Sequence, residues 1–79
     1  MIILEVEIED KLQEIYKKYI KIEVEFVDFR KYKIICKLPI IEEIFDFIYT
    51  YNVNLTKDYN IDIIKNNINK QIIKLFERS

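Results

Sequence analysis

There is no glycine anywhere in this chain of 79 residues. Any turn position with a positive φ has to be filled by a residue that carries a Cβ, at a steric cost that glycine would avoid. The same absence removes the P-loop and the dinucleotide-binding fingerprint, because both need backbone that can approach a phosphate closely.

Other scarcities narrow the function classes further. There is no His and no Trp, and only one Pro and one Cys. Without His the chain lacks the commonest general base and metal ligand. The lone Cys36 excludes an intramolecular disulfide and a multi-cysteine zinc site, and suits a reducing, cytoplasmic location. The opening residues Met1-Ile2-Ile3-Leu4-Glu5 do not read as a signal peptide. No apolar run approaches the roughly 20 residues of a membrane span. The formal net charge of −1 gives no global attraction to nucleic acid. The apolar share of 51 % is high for so short a chain, so some apolar surface is expected to stay exposed and to meet a partner or a second copy.

Residues 1–79 read as a single small α+β domain. Leu4, Val6 and Ile8 alternate with Glu5, Glu7 and Glu9, which predicts a half-buried strand over 2–8. Asp10 then caps a helix, with Gln13 as its capping-box partner and Leu12, Ile15, Tyr16 and Tyr19 on its apolar face. Residues 20–29 and 31–38 alternate again and predict a hairpin. An odd loop over 28–30 keeps both faces consistent. It pairs Phe26 with Tyr32, Val24 with Ile34, Ile22 with Cys36 and Glu25 with Lys33. Its cost is a left-handed Arg30. Pro39 suits the start of a helix with Ile41, Ile44, Phe45 and Ile48 inward. Thr56 or Asn60 caps a last helix to about Phe76, with Ile61, Ile64, Ile68, Ile72 and Leu75 as its stripe.

The expected topology is therefore β-α-β-β-α-α with the helices on one face of a three-stranded sheet. Charge suggests the strand order. Two strands carry outward glutamates (Glu5, Glu7; Glu23, Glu25), and the third carries Lys31, Lys33 and Lys37. Opposite charges stabilise a cross-strand pair and like charges oppose it, so the lysine strand is placed between the other two. That is order 1-3-2, a mixed split β-α-β sheet, which resembles a ferredoxin-like fold with its last strand replaced by a helix. The likeness concerns architecture and names no function.

No catalytic set emerges, and a non-enzymatic role without cofactor, metal or small-molecule substrate is expected. Glu42, Glu43 and Asp46 form a carboxylate cluster, but acids at the start of a helix are also what its dipole favours. Cys36 has inward parity on a strand and reads as a small buried hydrophobe. Lys17, Lys18, Lys21, Lys31, Lys33 and Lys37 form the only nucleic-acid-like feature, and a solvated lysine face is the simpler reading. The surplus apolar residues Ile40, Phe47, Tyr49 and Tyr51 point instead to a protein-binding surface. The leading expectation is a small intracellular module that binds another protein or itself as a homodimer, in the manner of an inhibitor or accessory subunit of a virus or mobile element. A weak nucleic-acid-binding regulator and a purely structural subunit are the alternatives.

Overall fold

The computed structural model describes residues 4–77. Two helices flank three strands in the order α1 (Leu4–Tyr16), β1 (Lys21–Asp28), β2 (Lys31–Leu38), β3 (Glu43–Thr50), α2 (Lys57–Glu77). The strands form one antiparallel meander with β2 in the middle. The class is α+β, as the patterning predicts, but the element order and strand order differ from the expectation.

Two segments change type. Residues 4–8, expected in a strand, open α1; Ile2 and Ile3 of that expected strand lie outside the described residues. The spacing Leu4, Ile8, Leu12, Tyr16 places one residue per turn on a single helix face. Ile8 and Leu12 are fully buried there, with Leu4 and Tyr16 packed beside them. Alternation over Leu4–Ile8 satisfies both periods, but only the helical one continues past Ile8. Asp10 is accordingly inside the helix rather than its cap.

Residues 43–50 are the converse case. The expected helix is β3, in which Phe45, Phe47 and Tyr49 turn toward the core and Ile44, Asp46, Ile48 and Thr50 turn away. Ile and aromatic side chains at period two fit a pleated, half-buried surface better than a helix. The sheet is consequently β1-β2-β3, not 1-3-2, and no split β-α-β unit forms. The lysine-bearing strand, β2, is central. Its second neighbour is β3, because the acids Glu5 and Glu7 are on a helix.

The hairpin register matches the one derived from face consistency: Ile22–Cys36, Val24–Ile34, Glu25–Lys33 and Phe26–Tyr32 are partners. The extra residue is absorbed as a bulge between Phe26 and Asp28, so Phe29 and Arg30 make the turn. Arg30 has φ 60°, and its guanidinium lies 4.7 Å from the Phe29 ring centroid. Lys17 (φ 55°), just past α1, and Glu42 (φ 52°), just before β3, are also left-handed. These are positions where glycine is usual, and the chain fills all three with long charged side chains that remain in solvent.

One layer of helix covers one face of the sheet. Ile61, Ile64 and Ile68 of α2 and Ile8 and Leu12 of α1 close over Ile22, Val24, Tyr32, Ile34, Cys36, Leu38 and Tyr49. Thr56 caps α2, its Oγ1 accepting the Tyr59 N–H at 3.1 Å. Asn60, the other cap candidate, lies one turn inside the helix and is fully buried.

Candidate protein-interaction surface

The two edges of the sheet are treated differently. On β1 the outward backbone donors are taken up by one stripe of α1. Phe26 N–H donates to Glu5 Oε2 at 3.0 Å, Val24 N–H to Glu9 Oε1 at 2.9 Å, and Ile22 N–H to Gln13 Oε1 at 2.9 Å. Gln13 Nε2 also donates to the Ile20 carbonyl at 2.8 Å. Acceptors four residues apart on a helix rise about 6 Å, close to the roughly 6.8 Å between alternate residues of a strand. Residues 5, 9 and 13 therefore act as a substitute strand, and the β1 edge is closed to another chain.

The β3 edge has no such cover among the described residues. Tyr51 N–H donates to the Arg30 carbonyl at 2.7 Å, which fixes the parity of the β2–β3 ladder. Residues 43, 45, 47 and 49 direct their backbone groups to β2, so those of Ile44, Asp46, Ile48 and Thr50 face outward. Ile44 and Ile48 are 63 % and 54 % exposed. Ile40 and Ile41, in the turn leading into β3, are exposed as well, Ile40 at 81 %.

The expected contact residues separate on this frame. Ile40 is on the surface, whereas Phe47 and Tyr51 are half-buried against the core. Tyr49 is 7 % exposed, and its hydroxyl donates to Asn60 Oδ1. The reason is the change from helix to strand: parity two puts 47, 49 and 51 on the inner face. The residues that a helix would have turned inward, Ile44 and Ile48, are instead the exposed ones.

The lysines do not converge on one site. Lys17 and Lys18 follow α1, while Lys21, Lys31, Lys33 and Lys37 are on the uncovered sheet face. Lys37 Nζ is 3.1 Å from Glu23 Oε1 and Lys33 Nζ 3.8 Å from Asp46 Oδ2, so two of the four are paired with acids. Glu42, Glu43 and Asp46 lie in the turn and on β3, not at a helix start. Among the described residues no group of three potential ligands could hold a metal ion, and no helix is long and apolar enough to cross a membrane.

Asn60 is the residue that sequence patterning undervalued. Its Oδ1 accepts the Tyr49 hydroxyl and the Asn52 N–H (2.9 Å). Its Nδ2 donates to the carbonyls of Asn52 (2.9 Å) and Thr56 (2.8 Å). One side chain thus ties the end of β3, the following loop and the start of α2 together. An Asn within an apolar helical stripe, next to Ile61, is the sequence signal for such a node.

Cys36 is fully buried in the middle strand. Burial pushes its thiol from 9.0 up to about 12. At pH 8 that difference lowers the thiolate share about a thousandfold, so a thiol reagent should label the folded chain far more slowly than the urea-unfolded chain. Equal rates would place Cys36 at the surface. The folded thiol keeps its proton to higher pH than the unfolded one. Its contribution to stability is therefore complete below pH 9 and is lost as pH rises toward about 12.

No protein-family model, curated protein or solved structure matches this chain.

Proposed function

We propose that the chain is a small non-enzymatic protein-binding module of the cytoplasm, an inhibitor or accessory subunit that engages its partner along β3. The observation that carries this reading is the asymmetry of the sheet. The β1 edge is capped residue by residue from α1, while the β3 edge presents outward backbone groups between exposed isoleucines. An uncapped edge is a ready template for one more strand, and natural proteins usually blunt such edges. Exposed Ile44 and Ile48 on the strand, and Ile40 and Ile41 just before it, offer apolar surface that a partner can bury. Phe47 and Tyr51 are half-buried against the core, on the face of the sheet that the helices cover.

The ion pairs of Lys33 and Lys37 weigh against the nucleic-acid alternative, since paired lysines have fewer free charges to offer phosphates. Affinity capture from the source cells tests the reading. Partners held by the wild-type chain should persist at high salt and be lost with Ile44→Glu. Bound nucleic acid released by modest salt and insensitive to Ile44→Glu would transfer the function to the lysine face.

A further inference from the structure

We infer that the strand received by the β3 edge is β3 of a second copy, paired antiparallel about a two-fold axis at Ile48, so that two three-stranded sheets become one. The inference rests on reading β3 as an interaction edge and adds the identity of the occupant.

Self-complementarity of the strand selects the register. Only residues with outward backbone groups can form the hydrogen-bonded pairs, which limits the choice to Ile44, Asp46, Ile48 and Thr50. Centring the axis on Asp46 sets two carboxylates directly opposite each other, which is repulsive. Centring it between Asp46 and Ile48 sets each carboxylate against an isoleucine, so the cross-strand neighbour offers it no hydrogen bond. Centring it on Ile48 pairs Ile48 with itself and Asp46 with the hydroxyl of Thr50. On the inner face the same register brings Phe47 opposite Tyr49 and Phe45 opposite Tyr51, aromatic pairs of the kind that stabilise adjacent strands.

Charge and length agree with this choice. Lys31 is the β2 neighbour of Thr50, so in the dimer the Lys31 of one copy stands two strand spacings, about 10 Å, from Asp46 of the other. A lysine side chain covers much of that distance, and its charge is opposite to that of Asp46. The ladder also has a natural end. Asn52 is next in parity after Thr50, but its N–H and C=O are already held by Asn60 at 2.9 Å each. Pairing therefore runs from Asp46 to Thr50 on both copies and stops where the chain satisfies itself. The β1 edges, closed by Glu5, Glu9 and Gln13, remain at the two ends of the joined sheet, so growth stops at two copies.

The test uses the purified full chain alone. Light scattering across the micromolar range should show a mass rising from 9.8 kDa toward twice that value. Ile48→Lys should remain at 9.8 kDa with unchanged circular dichroism, because it places two ammonium groups at the axis and alters only an exposed side chain. In a Cys36→Ala background, Ile48→Cys should form a disulfide-linked dimer under mild oxidation, since partners in a hydrogen-bonded pair have Cα atoms about 5.5 Å apart. Asp46→Cys in the same background should link slowly. A wild-type mass fixed at the monomer value, or faster linking by Asp46→Cys, would overturn the inference. If the wild-type chain stays monomeric yet captures a different protein that Ile44→Glu releases, the second copy is excluded and the interaction edge stands. If the chain is monomeric and captures nothing through that edge, both readings fall.

Discussion

Replacing Asn60 by Ala should lower the unfolding free energy by about 3 kcal/mol, a large part of the total for a chain of this size. The substitution removes one amide and strands two of its partners at once. The Tyr49 hydroxyl loses its acceptor inside the core and the Asn52 N–H loses its acceptor at the loop, whereas the Asn52 and Thr56 carbonyls lose one donor each and keep the backbone N–H groups of Leu55 and residue 60. A buried polar group without a partner costs about 1–3 kcal/mol. The Asn52 groups border solvent and regain part of theirs from water, which is why the expected total is below the sum. Tyr49→Phe removes a single hydroxyl and should cost only about 1 kcal/mol. The two substitutions should be strongly non-additive, because they share a hydrogen bond. Urea unfolding followed by circular dichroism measures the two single variants and the double variant. An unfolding free energy for Asn60→Ala within a few tenths of a kcal/mol of wild type would mean that the loop after β3 is held by packing alone.

The sequence made some of this structure legible and concealed the rest for identifiable reasons. The β1–β2 hairpin was readable because a wrong register would have put Glu25 against Ile34, inside the core. Face consistency over two long strands leaves one solution, and the left-handed Arg30 is its consequence. The last helix was readable because Ile61, Ile64 and Ile68 hold one period for several turns below a Thr56 cap. Residues 4–8 and 43–50 were not readable, since both carry apolar residues on two periods at once. Which period wins depends on tertiary partners. For α1 the deciding partner is the β1 edge, whose N–H groups need acceptors at the spacing of Glu5, Glu9 and Gln13. For β3 it is the open side of β2, whose Tyr32, Ile34, Cys36 and Leu38 direct their backbone groups outward and require a strand. The candidate surface followed the same fate. The apolar excess over residues 40–51 is visible in the sequence, but its face depends on the element type, so in the strand Ile44 and Ile48 rather than Tyr49 meet solvent.

Converting Glu5, Glu9 and Gln13 together to Ala should have a second large effect, again near 3 kcal/mol, accompanied by a change in association. Each side chain accepts from a backbone N–H of β1, and hydrogen bonds at partly exposed sites contribute about 1 kcal/mol apiece. Alanine is the better helix former, so the body of α1 is not weakened by the change, although the Lys17 and Ile20 carbonyls lose the Gln13 amide at its end, and Ile8 and Leu12 still anchor it to the core. What is lost is the registration of the helix along the strand. The donors of Ile22, Val24 and Phe26 are then free to seek another acceptor, and a neighbouring molecule's strand is the nearest chemical equivalent. The triple variant should therefore grow beyond a dimer in light scattering, since both edges of the sheet are open. Glu9→Gln separates charge from shape. An amide oxygen accepts the Val24 N–H as a carboxylate does, as Gln13 already does for Ile22, so that single change should cost well under 1 kcal/mol. Glu9→Leu keeps comparable bulk without an acceptor and should cost more. If Glu9→Gln and Glu9→Leu proved equally destabilising, or if the triple variant kept the wild-type mass, the acceptors of α1 would be incidental to the closure of the β1 edge. The contrast between a guarded and an open side of the sheet would then lose its physical basis.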